Sequence, residues 1–264
     1  ANTGALRVRI GTVDVDCTLR DLMHLDCVTK PSTTAGEQQL QVTVDLPEQP
    51  GTVWTSDIVK FWYYPDPTIK LLDPPLGPDS GATVFTIVGD NIQNTFDPLA
   101  IKLGSQTLAA GACRYAGVVP SLRVECTSPG RPAQTADRFF AVNIALNGQQ
   151  FTSQDIQYQY YANPQLSNLR PKFGVVRGAT SLTISGAGFV AASHDSYVRV
   201  KFFKVAFELG TACGTFGNSS TLFVKSIAVP ALTGAVKIRV SLNAQQYGDA
   251  TLGFLFYGPL TCLC

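Results

Sequence analysis

The chain is predicted to be all-β, a row of sandwich domains of which the first is incomplete. Three observations predict this. Short runs alternate apolar and polar residues between turn residues, with 23 Gly and 16 Pro spread along 264 positions, and no 3.6-residue pattern persists. One stretch occurs twice: Gly77-Pro-Asp-Ser-Gly-Ala-Thr-Val-Phe-Thr-Ile-Val-Gly89 returns as Gly174-Val-Val-Arg-Gly-Ala-Thr-Ser-Leu-Thr-Ile-Ser-Gly186, at a constant offset of 97. Tyrosine-rich or phenylalanine-rich runs then recur at the end of each segment: Phe61-Trp-Tyr-Tyr64, Tyr158-Gln-Tyr-Tyr161 and Phe254-Leu-Phe-Tyr257.

Taken in order, residues 1–65 give strands at Leu6–Ile10, Val13–Cys17, Leu40–Val44 and Ile58–Tyr64. They match the back part of the later repeats. Ile10-Gly11 corresponds to Leu103-Gly104, Thr29-Lys-Pro31 to Thr127-Ser-Pro129, and Tyr63-Tyr64 to Tyr160-Tyr161. The front part, with its Gly-x-x-x-Gly-Ala-Thr turn, has no counterpart, so the chain is expected to start inside a domain. Residues 66–163 form a complete repeat. Its strands are expected at Thr68–Leu72, Thr83–Val88, Leu99–Leu103, Leu122–Cys126, Phe139–Leu146 and Ile156–Tyr161. Gly77 to Gly81 reads as a turn, Gly89 as a sharp bend out of the strand, and Asn147-Gly148 as a hairpin signal. About seven strands in about a hundred residues fit an immunoglobulin-like sandwich. Residues 164–259 repeat the plan, and residues 260–264 begin a following segment. The seams Tyr64-Pro-Asp-Pro67 and Tyr161-Ala-Asn-Pro164 leave almost no linker. Proline restricts both itself and its predecessor, so a semi-rigid rod is expected.

Together these landmarks resemble the IPT/TIG domain family. The resemblance rests on the repeated glycine stretch, a cysteine pair before Thr-x-Pro, Asn-Gly and a terminal Tyr-Tyr. It covers two full copies and one back half. It implies immunoglobulin-like sandwiches, of the kind found in tandem in extracellular parts of plexins and scatter-factor receptors. The family also occurs in Rel-type transcription factors and beside starch-acting catalytic domains.

Composition narrows the function. Lys plus Arg number 20 and Asp plus Glu 19, too balanced for a nucleic-acid footprint. No apolar run is long enough for a membrane-spanning helix, and the N-terminus lacks the pattern of a signal peptide. Of seven cysteines, Cys17 and Cys27 form one near pair and Cys113 and Cys126 another. Neither pair has Cys-x-x-Cys metal spacing, and His24 and His194 are the only histidines. Disulfides in an oxidising compartment are expected, against the alternative of two buried free thiols per domain. Cys213 is read as matching Cys113, with Ser226 at the Cys126 position, which leaves Cys213, Cys262 and Cys264 over. Asn218-Ser-Ser220 is the single Asn-x-Ser/Thr sequence and a candidate glycosylation site on an exposed turn.

No catalytic constellation, phosphate loop, cofactor site or metal site emerges. Asp14, Asp16, Asp21 and Asp26 are close in sequence, and a calcium site is weighed there against ordinary solvated strand charge. The aromatic runs are read as core and seam packing ahead of a binding platform. The expected function is a non-catalytic structural or adhesive segment of a large secreted or cell-surface protein. Its expected partners are other protein chains and, as a second class, glycans, with no nucleic acid and no membrane insertion. The alternative is a polysaccharide-binding accessory module of a secreted enzyme.

Overall fold

The computed structural model describes residues 5–45, 53–57, 59–95, 97–118, 121–133, 135–191, 197–205, 207–230 and 233–258. His194, Cys262, Cys264 and the segment 260–264 lie outside the described residues. Among those described there are 22 strands and no α-helix. The chain divides into two units, Ala1–Asp66 and Pro67–Cys264.

The first unit is one sheet of β1 (Ala5–Ile10), β2 (Val13–Leu19), β3 (Leu25–Val28), β4 (Gly36–Asp45) and β5 (Val59–Tyr63), in the order β3-β2-β1-β4-β5. Its period-2 alternation puts Val8, Ile10 and Val15 on one buried face, with Leu40, Val42, Phe61 and Tyr63 packed against them. Val13, Val59 and Trp62 are exposed. Three buried apolar side chains make a small core among the described residues, and β2 pairs with β1 over Val13–Val15 and with β3 over Asp16–Leu19.

The second unit holds two sandwiches in tandem. The first has β6 (Thr68–Asp73), β7 (Leu76–Pro78), β8 (Val84–Asp90), β9 (Ala100–Leu103), β10 (Gln106–Thr107), β11 (Cys113–Ala116), β12 (Arg123–Thr127), β13 (Phe139–Ala145) and β14 (Gln157–Tyr161). Sheet β11-β12-β8-β6 faces sheet β10-β9-β13-β14-β7. Alternate residues meet between them: Phe85, Ile87, Val124 and Cys126 from one side, Ile101, Leu103, Val142, Ile144, Tyr158 and Tyr160 from the other, all buried. Tyr158 packs against Phe85 at a tilt and against Tyr160 edge to face, with ring centroids 5.0 and 5.2 Å apart. Each such burial stabilises by about 1.5–3 kcal/mol, which is why these positions dominate the core.

The second sandwich has β15 (Gln165–Arg170), β16 (Phe173–Val175), β17 (Ser181–Ala187), β18 (Arg199–Lys204), β19 (Phe207–Asn218), β20 (Thr221–Lys225), β21 (Gly234–Ser241) and β22 (Leu252–Tyr257). Its strands join as one series, β15-β17-β20-β19-β18-β21-β22-β16, because the 12-residue β19 pairs with β18 over its first part and with β20 over its last. In the preceding sandwich the same path is broken into β10 and β11.

Three expectations change here. The run from Gly77 is not all turn: β7 pairs in parallel with β14, and β16 does the same with β22. The peptide bonds before Pro74 and Pro171, just ahead of these strands, are both cis. The true turn is the part after β7, where the Gly81 N–H donates to the Pro78 carbonyl and Gly81 takes φ 76°. Gly89, in turn, makes no bend. It lies opposite a bulge at Lys70, where β6 slips register between Ile69 and Leu71. The bulge pushes the Thr68 carbonyl oxygen to 1.7 Å from where a Cβ at 89 would sit. Gly186 repeats this opposite the bulge between Leu166 and Asn168. Finally, Asn147-Gly148 does not close a two-residue hairpin. Strands β13 and β14 pair only at Phe139–Ala141, and Asn147 instead folds a longer loop, its Oδ1 accepting from the N–H groups of Gln149 and Gln150 at 3.1 and 3.2 Å.

Candidate interaction surfaces and the domain seam

The cysteine pairs stand at one structural place. Cys17 is directly opposite Cys27 on β2 and β3, and Cys113 opposite Cys126 on β11 and β12. Their Cα atoms are 4.0 and 4.1 Å apart, and each pair is disulfide-bonded. Each bond closes a short loop, with sequence separations of 10 and 13. Replacing both Cys113 and Cys126 by serine is expected to destabilise the second unit by about 2–3 kcal/mol, read from urea unfolding.

The register corrects the reading of the last repeat. Gly214 faces Val224 where Cys113 faces Cys126, so neither position of the last pair is a cysteine. Ser226 is instead the counterpart of Ser128: each hydroxyl accepts from the N–H of the repeat threonine, Thr83 or Thr180, at 3.1 Å. Cys213 is exposed, opposite Arg199 on β18.

Three of the four first-unit aspartates singled out by the sequence meet a cation. Asp14 accepts from Arg9 at 2.8 Å, Asp26 lies 3.3 Å from Arg20, and Asp16 lies 3.9 Å from Lys30. The Arg9 guanidinium holds the Asp14 carboxyl below its usual range. Asp21 is also held down, first by the Met23 N–H and then by His24, which it bonds at 2.8 Å in an exposed turn. No cluster of three or more metal-binding side chains occurs among the described residues.

Asn218 is exposed at the β19–β20 turn, its Oδ1 accepting from the N–H and hydroxyl of Ser220 at 2.9 and 2.8 Å. The aromatic runs divide: Tyr158, Tyr160, Phe254 and Phe256 are core, while Trp62 and Tyr257 reach solvent.

The most built polar surface is the seam between the two sandwiches of the second unit, and it was not anticipated. It consists of the loop Asn243-Ala-Gln-Gln246 of the second sandwich seated on Ala82-Thr-Val84 of the first. The Asn243 Nδ2 donates to the Thr83 hydroxyl at 3.0 Å, and that hydroxyl donates to the Gln246 Oε1 at 2.9 Å. The Gln246 Nε2 donates to the Ala82 carbonyl at 2.7 Å. Gln245 reads both backbone groups of Val84, accepting from its N–H at 2.9 Å and donating to its carbonyl at 2.7 Å. The reason is strand parity. Thr83 and Phe85 turn their backbone groups toward β12, so Val84 turns its own to the other edge. Strand β6 ends at Asp73, opposite Thr86, and leaves that edge open. A glutamine amide carries one acceptor and two donors, so it can stand in for a strand there.

Apolar contact surrounds these bonds. Leu76 and Tyr161 of the first sandwich belong to one buried cluster with Leu242, Val240 and Val176 of the second. At the rim, the Tyr197 hydroxyl donates to Asp73 at 2.8 Å. Desolvation, then the Asp73 carboxylate, push the Tyr197 phenol up to about 12. A raised phenol pKa stabilises the fold fully below its ordinary value of 10 and loses that contribution as pH rises through about 12. Tyr197→Phe is expected to delete one late-ionising phenol from an ultraviolet titration.

Two facing sheets, cross-strand cysteines and domain-to-domain stacking define tandem immunoglobulin-like sandwiches. Residues 164–256 match the IPT/TIG domain. The chain is similar to Plexin-A2 of Mus musculus, 29% identical over 191 residues, which cover 72% of this chain and 9% of that protein. It is likewise similar to Plexin-A4 of Homo sapiens, 30% identical over 133 residues, covering 49% of this chain and 7% of that protein. It thus spans less than a tenth of the length of these relatives. Among solved structures, the full extracellular region of Plexin A4 matches with a TM-score of 0.54 at 18% identity, over 97% of this chain and 22% of that one. That likeness concerns the fold.

Proposed function

We propose that this chain is a non-catalytic segment of a large extracellular receptor or adhesion protein, in which stacked sandwiches hold distance and orientation for contact with other protein chains. The observation that carries the reading is the seam. Six side-chain hydrogen bonds and a shared apolar cluster tie one sandwich to the next, as a spacer with fixed geometry requires. Similarity to plexins supports the extracellular or cell-surface setting, and the cysteine pairs suit an oxidising compartment. Semi-rigid rod behaviour, filament assembly and glycosylation at Asn218 belong to the same proposal. Chain secreted from eukaryotic cells should lose mass on removal of N-linked glycans, and Asn218→Gln should abolish that loss.

The partner is tested by presenting the full chain to an array of receptor ectodomains and to a glycan array. Saturable binding to protein ectodomains supports the reading. Binding to polysaccharides alone would favour the accessory-module alternative, for which the exposed Trp62 is the candidate contact.

A further inference from the structure

Both halves of the seam are repeated within the same chain. The loop Asn147-Gly-Gln-Gln150 of the first sandwich repeats Asn243-Ala-Gln-Gln246 in sequence and in fold. In both, the Asn Oδ1 accepts from the second and third N–H groups that follow, at 3.1–3.2 Å, and the Asn amide donates to the last Gln. The loop is therefore shaped before it docks, because Gln149 and Gln150 are exposed.

The receiving half is also repeated, at Ala179-Thr-Ser181. Its internal bonds match those around Ala82-Thr-Val84 to within 0.1 Å. Ala179 N–H donates to the Ser226 carbonyl at 2.9 Å, as Ala82 does to Ser128 at 2.8 Å. Ser226 N–H returns a bond to the Thr180 carbonyl at 2.9 Å, as Ser128 does to Thr83 at 2.8 Å. Ala82 and Ala179 even share the left-handed φ, 63° and 61°. Strand β15 stops at Arg170, opposite Thr183, so Ser181 faces an open edge as Val84 does. What differs is cover. Thr83 is 0% exposed, while Thr180 is only half-buried. Leu76 and Tyr161 are 1% and 2% exposed, while their counterparts Phe173 and Tyr257 are 58% and 38% exposed.

We propose that Ala179-Thr-Ser181, with Phe173 and Tyr257, is an amide-reading socket. Its occupant is a following sandwich domain that presents an Asn-x-Gln-Gln loop. The socket continues the established seam by one period. The Asn amide would bond the Thr180 hydroxyl, the first Gln the N–H and carbonyl of Ser181, and the last Gln the Ala179 carbonyl. Phe173 and Tyr257 would be covered as Leu76 and Tyr161 are. This inference stands on the repeated interface and is independent of the receptor reading.

The test compares the 264-residue chain with the same chain in which residues 260–264 are replaced by a second copy of residues 164–259. That placement recreates the spacing of the Tyr161-to-Pro164 seam. Amide exchange at Ser181 and hydroxyl-radical labelling of Phe173 and Tyr257 are measured in the original copy alone, which is isotope-labelled and ligated to an unlabelled appended copy. Exchange is expected to slow at least tenfold and labelling to fall by half or more. Changing Asn243 and Gln245 to alanine in the appended copy should restore both values. Thr180→Val, which leaves the appended domain untouched, should restore a large part of the exchange. Unchanged exchange and labelling beside a folded appended domain overturns the proposal, and so does protection that survives both sets of substitutions. Concentration-dependent protection in the unextended chain would overturn it in favour of self-association through the Asn147 loop.

Discussion

Replacing Gly89 by alanine is expected to destabilise the second unit by about 3 kcal/mol or more, a cost typical of severe overpacking against backbone. The added methyl carbon would stand 1.7 Å from the Thr68 carbonyl oxygen and 2.8 Å from its carbon. Neither is the end of a flexible side chain. Relief requires straightening the bulge between Ile69 and Leu71, which would slip β6 against β8 and move its alternate residues off the core face. Gly186→Ala should behave similarly, since the Gln165 carbonyl oxygen would lie at 2.1 Å and the Phe189 ring at 2.7 Å. Gly253→Ala is the internal control: it is also in a strand, has nothing within 4 Å of its added carbon, and should change stability by no more than about 0.5 kcal/mol. Urea midpoints of the three variants decide the matter. A loss below about 1 kcal/mol at Gly89 would mean that the bulge is dispensable.

The same glycine shows how far the sequence reads. Its 97-residue recurrence with Gly186 located β8 and β17, and alternation located most long strands, because both signals are local. The role assigned to it was wrong, because close approach depends on a bulge in another strand. Strands β7 and β16 were missed for a related reason. Each has three residues beside proline, too few for an alternation, and their partners β14 and β22 lie about 80 residues later. The match of Cys213 to Cys113 failed by one residue, since bulges at Phe202/Phe203 and Phe216/Asn218 shift the β19 register in ways that sequence offset does not carry. The seam was least legible of all. Asn147-Gly148 is a strong hairpin signal, and that local meaning concealed the kinship of its loop with the amide loop 243–246, whose docking partners lie more than 160 residues away.

Asn243→Ala is expected to weaken the second unit by about 3 kcal/mol, the upper end for losing a buried hydrogen-bonded group. Asn243 is 1% exposed. Its Oδ1 accepts from the N–H groups of Gln245 and Gln246 and from the Ser241 hydroxyl, while its Nδ2 donates to Thr83 and Gln246. Truncation therefore does two things: it unfolds the loop locally, and it leaves the Thr83 hydroxyl, itself fully buried, short of a partner. Asn147→Ala separates them. That residue makes the same loop-shaping bonds but is only half-buried, so its loss should cost about 1 kcal/mol. The excess at Asn243, about 2 kcal/mol, measures docking together with the Ser241 hydroxyl bond, which Asn147 lacks because Ala145 stands at that place. A double-mutant cycle with Thr83→Val then tests whether the excess runs through the Thr83 contact, with a coupling of about 1 kcal/mol expected between touching residues. If Asn243→Ala and Asn147→Ala cost the same, the loop folds itself and contributes nothing to the seam, and the fixed geometry proposed for the tandem sandwiches would have to come from the apolar cluster around Leu76 and Tyr161 alone.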